Sequence, residues 1–226
     1  MIFTDSAIVL YRQAFRESDR IVSLYTRSHG RLNARLPGVA RSTGKLKALG
    51  EPLSLAELRF YVKRGGVLAT VTGGKIHSVF PAVRADLKRT HLALHCCELM
   101  MRLTPLHQVS EEKFELLTTA LTELEYGEPT PAFAAAFTLR LMMLAGFGLD
   151  HPVLQISPHF WQRMHEDKFS SLVFEDPQDL LYLAKCNNVV RRFLDRYLTY
   201  PLNTVKPLGL EDTYEVPAPT LEPAHV

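Results

Sequence analysis

The hydrophobic pattern of this chain changes its period once, close to Pro81. Before Pro81, short runs alternate between apolar and polar residues, as in Arg31–Leu36, where Leu32, Ala34 and Leu36 share one face. After it, apolar residues recur at intervals of three or four positions. Alternation is typical of half-buried β-strands, and the longer interval is typical of amphipathic helices. The sequence therefore predicts an α+β chain in which a β-domain precedes an all-helical domain.

About five short strands are expected in the first 80 residues, separated by turn signals at Ser28–Gly30, Pro37–Gly38, Gly65–Gly66 and Gly73–Gly74. No helical segment separates one strand from the next, which argues against a parallel sheet with crossover helices. Strands at this spacing favour a small, closed β-barrel, and the five-stranded OB-fold is the common barrel of this kind among nucleic-acid binders. We assign residues 1–80 to an OB-fold domain, although a fold alone does not determine a function.

Residues 81–206 are predicted to form the helical domain. Asp176 followed by Pro177 is typical of a helix start, because aspartate caps the first turn and proline fits its first position. Helices this apolar have to pack against one another. Beyond Pro207 the chain has three further prolines, four acidic residues and no lysine or arginine. Residues 207–226 are therefore predicted to be a disordered acidic tail.

Charge is divided at the same place as the hydrophobic pattern. The formal net charge is +2, but the first 80 residues hold 13 basic and 5 acidic residues, an excess of +8, and the remainder carries −6. A local basic excess is the usual electrostatic sign of nucleic-acid binding, and the alternative is a solvated basic surface without a ligand. We expect a nucleic acid to bind to the first 80 residues.

The basic residues of the first domain are mostly arginines, which bind phosphate through paired hydrogen bonds and stack on bases. Arg31 and Arg35 fall on the strand face opposite the apolar residues. The candidate DNA-binding residues are Arg12, Arg16, Arg20, Arg27, Arg31, Arg35, Arg41, Lys45 and Lys47.

Aromatic residues are interleaved with these cations and would supply stacking surfaces for unpaired bases. The alternative for each aromatic residue is a position in the barrel core, where it could not stack on a base. We expect Phe60 in the core and leave both positions open for Tyr11, Tyr25 and Tyr61.

Targeting and membrane signals are missing from the sequence. Its start has no basic segment or cleavage-like site, and charged residues interrupt every apolar run before it reaches the roughly 18 residues of a membrane span. Three cysteines, two of them adjacent, cannot form a disulfide framework. These features predict a soluble, reduced protein of the cytoplasm without a membrane partner.

The best candidate for a catalytic centre is the group His91, His95 and Glu98, which share one helix face. Two imidazoles four residues apart can chelate zinc, which would make the protein a metal-dependent hydrolase. However, Leu92 stands where such a site has its glutamate base, and no third ligand is evident. The alternative is a partly buried polar stripe. We therefore predict no enzyme, no metal and no cofactor.

The order of these features resembles the RecO family of bacterial recombination mediators. The match reaches to about residue 154 and is most specific in the first 45 residues. The segments that carry it are Ile8–Leu10, Glu17–Val22, Leu24–Arg27, Gly30–Leu32, Pro37–Ser42, Leu53–Tyr61, Phe80–Pro81, Asp86–Arg89, Glu98–Leu99 and Phe137–Leu141. The resemblance implies an OB-fold followed by a helical domain.

Many members of the family also carry a four-cysteine zinc site, which begins with two cysteines after a Pro-x-Leu sequence. This chain keeps Pro152–Leu154, but the cysteine positions fall on Ser157 and Phe160, and no later C-x₂-C sequence exists. We therefore expect the zinc-ribbon element, about residues 150–175, to be degenerate and without bound zinc.

The resemblance implies a non-catalytic mediator of recombinational (RecF-pathway) DNA repair. Such a protein binds single- and double-stranded DNA, promotes annealing and, with its partner RecR, assists the loading of RecA. It also docks on the acidic C-terminal tail of single-stranded DNA-binding protein, which requires a basic spot on the acidic helical domain. The candidates for that spot are Arg140, Arg102, Lys88 and Arg89. An OB-fold RNA-binding accessory protein remains the alternative.

Overall fold

The computed structural model describes residues 1–39, 46–66, 68–148 and 154–204 of the 226. Five strands form among them, namely β1 (Ile2–Phe15), β2 (Asp19–Thr26), β3 (Gly30–Leu36), β4 (Leu55–Tyr61) and β5 (Ala69–Ser78). They close into a barrel in the order β1-β2-β3-β5-β4, where β3 and β5 are parallel and the other neighbours are antiparallel. The predicted OB-fold barrel is confirmed, and the fold class is α+β.

Alternation places one face of each strand inside the barrel. In β3, Leu32, Ala34 and Leu36 are buried, whereas Arg31 and Arg35 are partly exposed. The barrel core is completed by residues from the other strands, from the turn after β3 and from the 3₁₀ helix Lys47–Gly50, namely Ala7, Val9, Val22, Leu24, Val39, Leu49, Ala56, Leu58, Phe60, Ala69 and Val71. Phe60 is fully buried, as the sequence predicts.

The predicted turn at Gly73–Gly74 is wrong, because both glycines lie inside β5. The register between β4 and β5 shifts at Arg59, so β5 bends there without reversing. A Cβ atom on Gly74 would lie 2.5 Å from the carbonyl oxygen of Glu57, so this position needs glycine for the close approach of two backbones. The predicted turn at Gly65–Gly66 does separate β4 from β5.

Six helices are described after the barrel, namely α1 (Pro81–Ala85), α2 (Leu87–Leu103), α3 (Glu111–Tyr126), α4 (Phe133–Leu144), α5 (Pro158–Glu166) and α6 (Pro177–Tyr197). A 3₁₀ turn at Phe169–Ser171 lies between α5 and α6. α4 is the most buried of these helices and contacts α2, α3, α5 and α6. The predicted tail, residues 207–226, lies outside the described residues.

Side-chain caps begin three of the helices. The carboxylate of Asp86 accepts the amide of Arg89 at 2.7 Å, and the hydroxyl of Ser110 accepts the amide of Lys113 at 3.3 Å. Asp176 accepts the amide of Gln178 at 2.8 Å, which confirms the helix start predicted at this position. Within the described ranges, no helix combines the length and the apolar character that crossing a membrane requires.

The middle of β1 is buried on both of its sides. Ala7 and Val9 face the barrel core, whereas Ile8 and Leu10 join the core of the helical part. Tyr25, which pairs with Ile8 across β1 and β2, is fully buried in the same helical core. The barrel and the helices therefore share a continuous apolar contact, and this contact covers one side of β1 and the end of β2.

The connection between α2 and α3 lies along the start of β3. Leu106 bridges to Arg31 in parallel, and the amide of His107 donates to the carbonyl oxygen of Arg31 at 2.8 Å. Gly30 has a φ of 66°, and a Cβ atom there would collide with the carbonyl of Gln108. Glycine is required at position 30 for both reasons, because it tolerates positive φ and has no side chain.

Candidate nucleic-acid interface

Strand pairing brings polar side chains of β2 and β3 together on the outer face of the barrel. Ser23 pairs with Asn33, and their side chains share a hydrogen bond of 2.7 Å. Arg31 and Arg35 flank Asn33 on β3, on the face opposite the buried apolar residues. The prediction that these two arginines share the outward side of the sheet is confirmed.

Arg31 is partly withdrawn from solvent. It lies opposite the fully buried Tyr25, and burial lowers the pKa of its guanidinium below the ordinary value. Its Nε atom is buried and has no hydrogen-bond partner in the described part of the chain. An arginine side chain stays charged in proteins, so Arg31 is a cation with an unused donor at the surface of the sheet.

Arg35 is paired with a neighbour. Its Nε atom lies 3.3 Å from the carboxylate of Asp19, which also accepts the amide of Gly38 at 2.9 Å. The amide of Gly38 and then the charge of Arg35 hold the pKa of Asp19 below its ordinary value. The Arg35 side chain is 36% exposed, and ion pairs near the surface contribute only about 1 kcal/mol, so a phosphate can compete for the guanidinium.

Arg12 and Arg20 meet at one end of the barrel. Arg12 pairs with Val22 in register, and Arg20 with Leu36, so both belong to the inward-facing set of their strands. The carboxylate of Glu51 contacts both guanidiniums, at 3.5 Å in the case of Arg20. The structure brings these two candidates together, but around an acidic residue and away from the outer face.

Arg27 lies between the barrel and the helices. Its guanidinium pairs with Glu111 at 2.5 Å and with Glu115, and it lies over the ring of Phe114 at 4.8 Å. The hydrogen bond to Glu111 is the main cause that raises its pKa. Sequence reasoning places Arg27 among the DNA contacts, whereas its described contacts join the two parts of the molecule.

The remaining candidates lie in loops. Arg16 is exposed in the turn between β1 and β2, with its guanidinium 5.2 Å from the ring of Phe15. Lys47 is exposed at the start of the 3₁₀ helix. Arg41 and Lys45 lie outside the described residues.

Two basic residues of the β4–β5 loop were missed by the sequence reasoning. Lys63 and Arg64 are both exposed there. OB-folds bind oligonucleotides with the face of strands 2 and 3 and with the loops between strands 1 and 2 and between strands 4 and 5. The sequence does indicate Lys63 and Arg64, because they stand just before the predicted turn at Gly65–Gly66 and so belong to the loop between strands 4 and 5. Of the open aromatic positions, Tyr11 and Tyr61 are exposed, and Tyr25 is buried beneath the helices.

Comparison with known proteins identifies the family. Residues 1–80 match the family model described as recombination protein O N terminal, and residues 84–151 match the one described as recombination protein O C terminal. The chain belongs to the RecO family. The family's N-terminal domain coincides with the barrel, and the matched part of its C-terminal domain covers the end of α1 and all of α2 to α4.

Several curated relatives carry the name DNA repair protein RecO. The one from Geobacter metallireducens is 33% identical over 147 residues, which cover 64% of this chain and 59% of the relative. The one from Pelotomaculum thermopropionicum is 34% identical over 158 residues, or 70% and 59% of the two chains. The one from Myxococcus xanthus is 35% identical over 144 residues, or 64% and 59%. The matches thus span less than two thirds of each of these RecO proteins.

The zinc element implied by the resemblance to RecO proteins does not fit the residues present. Phe160, at a position where the pattern has cysteine, is 1% exposed. Its ring centroid lies 4.6 Å from that of Phe174 and 5.5 Å from that of Tyr182. Among the described residues, no group of three histidine, cysteine or carboxylate side chains could hold a metal. An aromatic cluster therefore packs where the RecO pattern places a metal ligand.

The four candidates for binding a protein partner differ in what they contact. Arg140 donates to the carbonyls of Met164 and Asp167, and Arg89 donates to the carbonyl of Leu124. Both guanidiniums thus hold helices together. The remaining two lie on α2, where Lys88 is exposed and Arg102 lies 3.8 Å from Glu98. Partner binding by these residues stays a prediction.

His95 and Glu98 hold the segment that follows α6. Glu98 accepts the amides of Asn203 at 2.9 Å and Thr204 at 3.0 Å. The Nδ1 atom of His95 lies 2.8 Å from the hydroxyl of Thr204, and burial lowers the pKa of this histidine to about 4. His91 is partly buried one turn earlier. The contacts of His95 and Glu98 explain a structural role and do not favour a hydrolase.

Proposed function

We propose that this chain mediates recombinational DNA repair by binding single- and double-stranded DNA on the part of the outer face of β2 and β3 that the helices leave uncovered. The Arg31 guanidinium is the observation that carries the proposal, because its buried Nε donor has no acceptor in the described part of the chain. An unpaired buried donor costs about 1–3 kcal/mol. A phosphate oxygen bound by the partly exposed guanidinium would balance its charge, and it would accept the hydrogen bond from Nε once the side chain turns outward.

Other cations support the same surface. Arg35 lies two residues further along β3, and Arg16, Lys63 and Arg64 lie in the loops at either side of the binding face of an OB-fold. Contacts to phosphates supply affinity that is largely independent of sequence and falls with salt. A surface of this kind suits both forms of DNA. Arg12, Arg20 and Lys47 would extend it where a strand reaches the end of the barrel.

The finer assignments rest on the family. We propose that the protein promotes annealing, works with RecR, docks on the acidic tail of single-stranded DNA-binding protein and thereby assists RecA loading, without covalent chemistry. Its place of action would be the nucleoid in the cytoplasm. On the helical side, Lys88 and Arg102 are the better candidates for the acidic tail, because Arg89 and Arg140 are engaged with backbone carbonyls.

The test is a titration of labelled oligonucleotides at several salt concentrations. Charge reversal in Arg31→Glu plus Arg35→Glu should weaken binding to single-stranded DNA. It should also make the slope of log affinity against log salt shallower by about 1.4, which corresponds to two phosphate contacts. The expected loss applies to duplex DNA as well, because the contacts are to the backbone.

A matched control reverses two cations on the other side of the barrel. Arg59 and Lys75 are exposed on β4 and β5 and have no ion pair among the described residues. The double variant Arg59→Glu plus Lys75→Glu changes the net charge by the same amount and should leave the slope nearly unchanged. Equal losses in both double variants would contradict the assigned face. RNA of the same sequence, titrated in parallel, tests the RNA-binding alternative.

A further inference from the structure

A cleft of about 280 Å³ opens at the edge of the barrel, beside the proposed DNA face. In the described register, β3 and β5 pair at Ala34 and Arg35 alone, so the first half of β3 meets the α2–α3 connection on that side instead of a strand. The cleft is lined there by Phe3, His29, Leu32, Asn33, Gly66 and His107. Ligand pockets usually have volumes of about 300–1,000 Å³, so this cleft suits one planar ring system.

A stack of three rings leads from the barrel core to this cleft. The rings of Phe60 and Phe3 are stacked at 4.9 Å between centroids with an interplanar angle of 20°. The ring of His29 follows at 4.2 Å from Phe3, tilted by 31°. Phe60 is fully buried, whereas the side chain of His29 is 37% exposed. The stack therefore ends on an aromatic ring at the surface.

The orientation of the His29 ring is fixed by a buried carboxylate. Its Nδ1 atom lies 2.7 Å from Oδ2 of Asp5, whose side chain is 3% exposed. Asp5 also accepts the amide of Ser28 at 3.0 Å, so the carboxylate itself is held in place. A ring whose orientation is already fixed loses little conformational freedom when another ring stacks on it.

Polar groups at the cleft can contact the edge of such a ring. Oδ1 of Asn33 accepts from Ser23, and its amide nitrogen has no partner among the described residues. His107 is exposed, with its backbone fixed on Arg31. Asn33 lies between Arg31 and Arg35 on the same strand face. A nucleic-acid strand whose phosphates contact those arginines would have its bases next to the cleft.

We propose that the cleft accepts one unpaired nucleobase, which stacks on His29. This inference rests on the proposed function and adds a reason for the protein to distinguish single strands from duplexes, because a base in a duplex is already paired and stacked. Stacking on an aromatic side chain does not depend on which base is present, and it adds to the phosphate contacts.

The experiment compares His29→Ala with wild-type protein on a labelled thymidine homopolymer and on a duplex of the same length. We expect the variant to bind the single strand at least about 5-fold more weakly and the duplex equally well. His29→Phe keeps the stacking surface and should retain affinity for the single strand. His77→Ala, which removes an exposed histidine from β5, is the matched control and should have no effect.

An oligonucleotide of abasic sites separates stacking from phosphate binding. Wild-type protein should bind it more weakly than the thymidine homopolymer, and His29→Ala should bind the two equally. Equal weakening of single strand and duplex by His29→Ala, or no weakening at all, would overturn the inference and leave the proposed function intact. Wild-type protein that binds neither DNA overturns both. Thermal unfolding of each variant verifies that it is folded.

Discussion

The backbone amide of His107 donates a hydrogen bond of 2.8 Å to the carbonyl oxygen of Arg31. The connection between α2 and α3 thereby occupies the open edge of β3, the strand that carries the proposed DNA contacts. The backbone at Arg31 is consequently positioned by the barrel and by the helical part together. A change in this connection should affect the proposed DNA face without altering any of the residues proposed to contact DNA.

Gly30→Ala should destabilise the protein because position 30 has a φ of 66° and faces the carbonyl of Gln108. Positive φ in a residue with a side chain costs about 1–3 kcal/mol, and the collision adds to it. Chemical denaturation measures the loss. Gly38→Ala is the matched control, since Gly38 has a φ of 69° and no atom of the described residues lies within 4 Å of an added Cβ. Equal losses of stability in the two variants would contradict the close approach of the α2–α3 connection to Gly30.

Glu51→Gln should strengthen DNA binding. The Glu51 carboxylate contacts the guanidiniums of Arg12 and Arg20, and its removal leaves both free to bind phosphate. An exposed ion pair contributes up to about 1 kcal/mol, so we expect an increase in affinity of about 2- to 5-fold at low salt. Fluorescence anisotropy measures it. Glu57→Gln removes an exposed carboxylate from β4 and serves as the control; an equal gain there would refute a specific role for Glu51.

His95 should make stability depend on pH. Burial lowers its pKa from 6.5 to about 4, so the folded protein keeps it neutral where the unfolded chain takes up a proton. Its contribution is present above pH 6.5 and is lost as the pH falls towards 4, by up to about 3 kcal/mol. Unfolding free energies measured across this window should fall less steeply in His95→Gln.

The control for this pH effect is the exposed His77. His77→Gln should keep the wild-type pH dependence. A wild-type slope retained in His95→Gln would show that another group is responsible, the half-buried His165 being the next candidate because burial also lowers its pKa.

Phe160→Ala should destabilise the helical part by about 3–5 kcal/mol, because it removes the centre of the aromatic cluster with Phe174 and Tyr182. A chelator should leave the melting temperature of the wild-type protein unchanged. Stoichiometric zinc in the purified protein, measured by elemental analysis, would contradict the expectation that the protein binds no zinc. Trp161→Ala, at a neighbouring and less buried position, should cost less.

Local periodicity was enough to predict part of the candidate site. Alternation along β3 places Arg31 and Arg35 outside and Leu32, Ala34 and Leu36 inside, because side chains of a strand point to opposite faces. It failed for Gly73–Gly74, since the pattern does not distinguish a turn from a strand that bends with a register shift. Here the close approach of the Glu57 backbone decides the outcome.

Contacts distant in sequence account for what could not be predicted. Arg27 meets Glu111 across a separation of 84 residues, so nothing near Arg27 in the sequence indicates that it joins the barrel to α3. Tyr25 lies on the outward face of β2 and is nevertheless buried, because the helical part packs on that face. The ring stack that ends on His29 likewise needs strands that meet only in the closed barrel.

The burial of both faces of β1 makes the two parts of the molecule interdependent in folding. A fragment of residues 1–80 would expose Ile8, Leu10 and Tyr25 to water. These residues would form an aggregation-prone apolar patch on an otherwise basic barrel. The boundary that is so clear in the hydrophobic pattern therefore does not mark a place where the chain can be cut. Any loss of helical packing should propagate into the barrel, and unfolding should proceed as one cooperative transition.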